Sequence, residues 1–179
     1  MATVTSQDAG GEAIVLFLDL IAFSEGTSTG LDNGYGVIVT GVDGPETFTD
    51  YSTHPFAPST AYPNGRPAKL IREATAEKPA VYSTASGRYQ LLQSSKDPYF
   101  LTYKKQLGLP DFSPLSQDKI AIQQIRERRA LNLILSGDIS QAILACGETW
   151  ASFPGNTYGQ GGKALYTLVA KYQQLQKGA

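Results

Sequence analysis

The sequence reads EAIVLFLDLIAFSE from Glu12 to Glu25, and Gly26 follows directly. Apolar side chains point in nearly all directions when this stretch is wound at 3.6 residues per turn, which predicts a helix buried on almost every side. Glycine adopts the left-handed conformation without strain and often ends a helix. We therefore expect a central, buried helix over residues 12–25.

The segments on either side of this helix differ from it in composition. Met1–Gly11 is polar and rich in small residues, which predicts a flexible N-terminal tail. Further along, the β-branched run 37–39, the turn signal Asp43-Gly44-Pro45 and a possible return strand from Thr47 to Tyr51 predict a small β-hairpin. Residues 55–85 are rich in proline, so we expect a long loop without regular structure over much of its length.

The C-terminal half carries the capping and breaking signals of helices. The predicted helices are one opened by Asp97-Pro98 and closed by Gly108, one from Ser113-Pro114 through Arg129, one from Ile139 to about Glu148 capped by Asp138, and one from Lys163 to Gln176. Helices with one β excursion predict an α+β fold. The length of 179 residues predicts a single domain over 1–179.

The charge of the chain argues against nucleic-acid binding. Its 15 Lys and Arg and 16 Asp and Glu give a net charge of −1, and its pI is near 5.8, whereas nucleic-acid binders concentrate basic charge. All basic residues lie from Arg66 onward. This basic part could meet an anionic polymer such as peptidoglycan, or could simply form solvated helix faces.

Few residues are available for metal or nucleophilic catalysis. His54 and Cys146 are the single histidine and cysteine, so no metal site, no cofactor and no Ser-His or Cys-His hydrolase is expected. We expect a structural or surface role for His54. The apolar run 13–18 is too short for an export or membrane segment, and no Lys or Arg precedes it, which predicts a protein made in a cytoplasm without stable membrane association. A monomer is expected.

Carboxylates remain, and they suit the cleavage of glycosidic bonds. Glu25 falls in the last turn of the buried helix, where the helix dipole disfavours its ionised form. That effect is worth only about 0.3 to 1 kcal/mol, so burial must supply the rest of any rise in its pKa. On this evidence alone, a single glutamate at a helix end is more often a solvated residue than a catalyst.

Short motifs along the chain resemble those of the lambda endolysin family and follow in the same order. They are Ser24-Glu25-Gly26-Thr27, Gly34-Tyr35, Phe48-Thr49-Asp50-Tyr51-Ser52, His54-Pro55, Gly87-Arg88-Tyr89-Gln90, Asp111-Phe112-Ser113-Pro114, Trp150-Ala151-Ser152-Phe153-Pro154-Gly155 and Tyr158-Gly159-Gln160. The resemblance extends over roughly residues 17 to 172. It implies a lysozyme-like fold, with a mainly helical lobe, a small β-hairpin lobe and the active-site cleft between them.

The resemblance also implies a reaction. The family cleaves the β-1,4 bond between N-acetylmuramic acid and N-acetylglucosamine in peptidoglycan glycan strands without water, leaving a 1,6-anhydro-muramoyl end. Glu25 stands at the family's catalytic position, in the Ser-Glu-Gly motif. Release through a holin-made hole, from the host cytoplasm to the periplasm, is likewise implied.

Further residues are candidates for contact with the sugar. They are Asp50, Tyr51, Ser52, Gly87, Tyr89, Gln90, Tyr158 and Gln160. Tyr89 and Gln90 could instead pack a strand on a helix, and the last two could close the core, where we also place Trp150. Asp50 is the candidate second carboxyl if the chain is a hydrolytic muramidase. A non-catalytic glycan-binding virion protein is a further alternative.

The chain departs from the family at three places. Its Pro-rich segment 55–85 is longer, Thr53 replaces the acid expected before His54, and Gly161 and Gly162 replace bulkier residues. The long loop is expected at the lip of the cleft, where it would alter substrate grip or loop mobility but not the chemistry.

Overall fold

The computed structural model describes residues 1–155 and 162–178. The chain folds into two compact units, of which the first comprises Met1–Ser28 and the described residues from Asp118 onward, and the second Thr29–Gln117. Seven α-helices, one short 3-10 helix at Leu31–Gly34 and four strands are described. The α-helices and strands are α1 Ser6–Ala9, α2 Glu12–Glu25, β1 Val37–Gly41, β2 Gly44–Thr47, β3 Lys69–Arg72, β4 Val81–Ser83, α3 Tyr99–Leu107, α4 Pro114–Glu127, α5 Leu131–Leu135, α6 Ile139–Cys146 and α7 Leu165–Gly178.

Helix α2 forms the centre of the first unit, as the sequence predicted. Every residue from Ile14 to Ala22 is buried, and the helix contacts α1, α5 and α7. The ring of Phe17 meets those of Phe153 and Tyr172 edge-on, with centroids 6.0 and 6.4 Å apart. Burial of each large apolar side chain stabilises the fold by roughly 1.5 to 3 kcal/mol, so the apolar residues of this helix contribute strongly to stability.

The first residues of the chain are anchored by hydrogen bonds, in contrast to the flexible tail expected for residues 1–11. The backbone N–H groups of Thr3 and Val4 both donate to Asp118 Oδ2 at 2.7 Å, and that of Ala2 donates to Asp19 Oδ1 at 2.7 Å. Val4 is buried. The prediction failed because the carboxylates that hold this segment are distant in sequence.

The helix signals of the C-terminal half are confirmed. Helix α3 ends at Gly108, with φ of 62°, and Asp138 caps α6 by accepting a hydrogen bond from the backbone N–H of Gln141. Helix α4 ends before the predicted Arg129, which adopts a left-handed φ of 57°. The short helix α5 was not predicted.

Two β-hairpins lie in the second unit. Strand β1 pairs antiparallel with β2, with Val37 opposite Thr47 and Gly41 opposite Gly44. The return strand therefore ends at Thr47, and the strand expected from Thr47 to Tyr51 was placed too late. Pairing starts at Gly44 because the turn is tight. The φ of Gly44 is 99°, a conformation that glycine adopts without strain.

The second hairpin interrupts the Pro-rich segment that was expected to be a loop over residues 55–85. Strands β3 and β4 pair antiparallel, with Lys69 opposite Ser83. The Arg66 guanidinium contacts both oxygens of the Glu46 carboxylate at 2.5 and 2.9 Å, and Lys69 Nζ lies 3.0 Å from the same carboxylate. These ion pairs join the segment to β2 and order it, a pairing that local sequence does not reveal.

Candidate active site

Glu25 is the last residue of the buried helix α2. Gly26 ends the helix with a φ of 75°, and its backbone N–H turns back to Ala22 O and Phe23 O. The preceding Ser24 is buried, whereas Glu25 is partly exposed. The helix thus fixes the backbone of Glu25 and leaves its carboxyl at the edge of the apolar core.

The Glu25 carboxyl has one short hydrogen bond. Ser152 Oγ donates to Glu25 Oε1 at 2.5 Å. Burial raises the pKa of Glu25, while the Ser152 hydroxyl and the charge of Lys163 act in the opposite direction without cancelling the rise. A carboxyl of this kind keeps its proton to a higher pH than an exposed glutamate and can serve as a general acid.

Backbone and side-chain contacts hold Ser152 in place. Ser24 Oγ donates to Ser152 O at 3.2 Å, and the backbone N–H of Lys163 donates to the same oxygen at 2.9 Å. Lys163 Nζ donates to Ser24 O at 2.9 Å. The contacts of Ser152 and Lys163 were not predicted from the sequence, although Ser152 lies in the Trp150–Gly155 motif. A link over more than a hundred residues gives no local signal.

Asp50 has a different environment. Its side chain is exposed, and Oδ1 accepts a hydrogen bond from the backbone N–H of Ser52 at 2.9 Å. The hydrogen bonds from Ser52, first from its backbone, lower the pKa of Asp50. Asp50 therefore stays ionised at neutral pH, and it belongs to the second unit, whereas Glu25 belongs to the first.

Tyr51 is turned toward a residue of its own unit. Its hydroxyl donates to Asp32 Oδ2 at 2.9 Å, and burial followed by the Asp32 carboxylate raises its pKa. Asp32 and Asn33 have left-handed φ values of 51° and 54°, a conformation that asparagine and aspartate tolerate better than most residues. The Asp32–Tyr51 bond fixes this turn and leaves Tyr51 half-buried.

The residues of the Gly87-Arg88-Tyr89-Gln90 motif pack against and bond to their own unit. Tyr89 is only 4% exposed and packs edge-on against Tyr35, with centroids 6.4 Å apart. A Cβ at Gly87 would lie 2.2 Å from Gln117 Oε1, and Gln90 Nε2 donates to Gly87 O at 2.9 Å. Burial of the Tyr89 ring favours the packing alternative for this residue, and Gly87 allows close packing against Gln117. A sugar contact by Tyr89 stays a prediction.

The remaining candidates are placed as follows. Tyr158 and Gln160 lie outside the described residues. Trp150 is in the core, as predicted.

Within residues 1–155 and 162–178, no group of three or more His, Cys, Asp or Glu could hold a metal ion. No described helix is both long and apolar enough to span a bilayer.

His54 has the structural role expected of it. Its side chain is fully buried, Nδ1 accepts the backbone N–H of Phe56 at 3.1 Å, and Nε2 lies 3.0 Å from Leu91 O. Nε2 is then the protonated nitrogen and donates to that carbonyl. Burial lowers the pKa of His54 to about 4, so the ring is neutral at physiological pH.

Known proteins similar to this chain include two phage endolysins. The family model described as Endolysin matches residues 15–178. The endolysin of Escherichia phage P2 is 52% identical over 89% of this chain and 90% of its own length. The endolysin of Escherichia phage lambda is 46% identical over 88% of this chain and 87% of its own length.

Solved structures agree with these sequence matches. Bacteriophage lambda lysozyme complexed with a chitohexasaccharide is similar with a TM-score of 0.73 and 42% identity, covering 98% of this chain and 97% of that one. A second structure of the lambda lysozyme has a TM-score of 0.68 and 41% identity, with the same coverage. The α+β, lysozyme-like fold predicted from the sequence is confirmed.

Proposed function

We propose that this chain, which belongs to the Endolysin family, is a lytic transglycosylase that cleaves the β-1,4 bond between N-acetylmuramic acid and N-acetylglucosamine in peptidoglycan. The observation that carries the proposal is the Glu25 carboxyl, whose pKa is raised by burial at the end of α2. The sugar oligomer bound by the similar lambda lysozyme supports a glycan substrate.

One carboxyl can perform both proton transfers of this reaction. Glu25 donates its proton to the glycosidic oxygen as the bond from that oxygen to C1 of the muramoyl residue breaks. The C6 hydroxyl oxygen of the same residue then bonds to C1, and its proton passes to the Glu25 carboxylate. The products are a 1,6-anhydro-muramoyl end and a free N-acetylglucosamine hydroxyl, and Glu25 regains its proton without water being consumed.

Asp50 supports a second candidate, a hydrolytic muramidase. A hydrolase on this fold needs an ionised second carboxyl to act as nucleophile or to activate water. The hydrogen bonds from Ser52 keep Asp50 ionised. We favour the transglycosylase because its cycle needs only Glu25, whose environment is specialised for proton transfer.

Product analysis distinguishes the candidates. We would digest purified peptidoglycan with the wild type, Glu25→Gln, Asp50→Asn and the matched control Glu12→Gln, an exposed residue at the other end of α2, and determine the masses of the muropeptides. We expect anhydro-muramoyl ends from the wild type, Asp50→Asn and Glu12→Gln, and none from Glu25→Gln.

Other results would overturn the proposal in defined ways. Reducing ends that carry added water, lost in Asp50→Asn, would establish a hydrolase. Absence of products from the folded wild type, with retained binding to peptidoglycan, would establish a glycan-binding protein. Loss of products in Glu12→Gln as well as Glu25→Gln would show that the effect is not specific to Glu25.

The route to the substrate is part of the proposal. We infer synthesis in the host cytoplasm as a monomer, followed by holin-dependent release to the periplasm and lysis of the host. The phage sources of the two similar endolysins support this route. We expect cells that express the chain to lyse only when a holin is co-expressed.

A further inference from the structure

Lys163 contacts both segments that hold the Glu25 carboxyl. Its ammonium Nζ donates a hydrogen bond to Ser24 O at 2.9 Å, and its backbone N–H donates to Ser152 O at 2.9 Å. Ser24 directly precedes Glu25, and Ser152 donates its hydroxyl to the carboxyl. One residue therefore joins the end of α2 to the segment that carries the hydrogen-bond donor.

The end of α2 concentrates negative charge. The last carbonyl groups of a helix have no partner within it and carry the negative end of the helix dipole. An ionised Glu25 adds a full negative charge at the same place. A cation bonded to one of these carbonyls stabilises the ionised carboxylate, and the charge of Lys163 does lower the pKa of Glu25.

Other charged groups on the packed segments are placed differently. Lys171 on α7 has its Nζ 5.2 Å from the centroid of the Phe23 ring, and Lys163 has its own 5.7 Å from it. Lys171 donates to Gln174 Oε1 at 3.2 Å. Asp19 on α2 accepts the backbone N–H of Ala2, and Asp8 on α1 lies near the opposite end of the helix, where it accepts a hydrogen bond from Thr5.

The segments that flank the carboxyl in sequence add no further charge. Residues 150–155 and α5 contain no charged side chain, and residues 156–161 contain the titratable Tyr158 but no Asp, Glu, Lys, Arg or His. Among the described charged groups, Lys163 is the one that shifts the titration of the Glu25 carboxyl. Lys171, which shares the Phe23 ring, is a natural control for it.

We propose that Lys163 is a positioning residue, which holds the Ser24 and Ser152 segments around Glu25 and stabilises the carboxylate that takes back the proton in the second step. The inference rests on the proposed function, in which Glu25 first donates and then accepts a proton. Burial favours the protonated form needed first and opposes the ionised form needed next. Lys163 offsets that opposition without removing the proton needed for the first step.

The test compares the charge of Lys163 with that of Lys171. The Glu25 carboxyl is titrated by carbon-13 NMR in the wild type, Lys163→Met and Lys171→Met, with its signal assigned by its loss in Glu25→Gln. Methionine keeps an apolar stem over Phe23 and removes the charge. We expect Glu25 to titrate at higher pH in Lys163→Met and as in the wild type in Lys171→Met.

Activity gives a second readout. The fall of kcat/KM at high pH, where Glu25 loses the proton it must donate, should move to higher pH in Lys163→Met and return toward the wild-type position in Lys163→Arg. A merely structural role would lower the whole profile without moving this limb. The NMR titration requires no substrate, so it tests Lys163 even if product analysis rejects the transglycosylase.

Two results of the titration would also overturn the inference. One is an unchanged titration of Glu25 in a folded Lys163→Met. The other is an equal shift in Lys171→Met, which would indicate a general effect of surface charge. If thermal unfolding shows that Lys163→Met does not fold, Lys163→Gln, which keeps a donor for the Ser24 carbonyl without the charge, decides in its place.

Discussion

At the scale of single residues, Glu25 shows how the role proposed for it conflicts with stability. Burial disfavours the carboxylate and raises its pKa above the 4.5 of an ordinary glutamate. The folded state then binds a proton that the unfolded state has already released, in the pH range just above 4.5. Stability must fall as the pH rises through that range, and the loss persists at neutral pH.

Replacing Glu25 by Gln should therefore stabilise the protein at pH 7, because an amide has no charge to desolvate and can still accept the Ser152 hydroxyl. We expect a higher Tm at pH 7, by about 2 to 4 °C for each kcal/mol gained in a chain of this size. Below pH 4.5 the gain should vanish. Thermal unfolding of Glu25→Gln and of the control Glu12→Gln at both pH values measures it, and an equal gain in Glu12→Gln would contradict the explanation.

At the scale of elements, Gly87 shows a position where a side chain would be both strained and crowded. Its φ is 79°, and an added Cβ would lie 2.2 Å from Gln117 Oε1. That oxygen already accepts the backbone N–H of Arg88 at 2.9 Å. A side chain at this position would strain the backbone and also displace the amide that fixes the segment.

Gly87→Ala should cost more than the backbone strain alone. We expect a loss of roughly 1 to 3 kcal/mol from overpacking, in addition to the strain of the positive φ. Gly108→Ala is the matched control, because Gly108 has a φ of 62° but no atom within 4 Å of the point that an added Cβ would occupy. Denaturant unfolding of both variants gives the comparison, and equal losses would show that the contact with Gln117 is unimportant.

The N-terminal segment depends on a carboxylate far away in the chain. Asp118 is fully buried and accepts the N–H groups of Thr3 and Val4. Hydrogen bonds to a charged group are worth about 1.5 to 3 kcal/mol each when removed. We predict that Asp118→Ala destabilises the protein by several kcal/mol and speeds amide exchange at Thr3 and Val4.

Exchange measurements also provide the control for this prediction. Asp138→Ala, which removes the cap of α6, should cost about 0.5 to 2 kcal/mol. It should leave the exchange rates of Thr3 and Val4 unaffected when both variants are compared under conditions far from global unfolding. Protection of these amides that survives in Asp118→Ala would mean that other contacts hold the segment.

At the scale of the whole molecule, His54 makes stability sensitive to acid. Its pKa is lowered from 6.5 to about 4 by burial, so the unfolded state binds a proton in this range that the folded state does not. The contribution of His54 to stability is therefore fully present above about pH 6.5 and is lost as the pH falls toward 4. The difference corresponds to on the order of 3 kcal/mol.

This loss should be visible from the other unit if the chain unfolds as the single domain predicted from its sequence. His54 belongs to the second unit and Trp150 to the first. At each of the two pH values, 5 and 7, we expect Trp150 fluorescence and the His54 NMR signal to report one shared unfolding midpoint. Loss of the His54 contribution should lower that midpoint at pH 5. His54→Gln should weaken this dependence, and separate midpoints for the two probes would instead indicate two independently unfolding domains.

Elements whose signals are local could be predicted from the amino-acid sequence. The apolar run of α2, its stop at Gly26, the closure of α3 at Gly108 and the Asp138 cap of α6 depend on neighbouring residues only, and all are confirmed. The candidate acid Glu25 was also found from local sequence, by its place at the end of a buried helix and by the Ser-Glu-Gly motif around it.

Which distant groups meet became visible only in the folded chain. Burial of Tyr89, the anchoring of Thr3 and Val4 by Asp118, and the placement of Ser152 and Lys163 beside Glu25 all depend on chain segments far apart in sequence. Hydrogen bonds and desolvation act over a few ångströms of space, whatever the separation along the chain. The sequence could therefore predict that Glu25 is a carboxyl at a helix end, but only the folded chain shows which groups set its pKa.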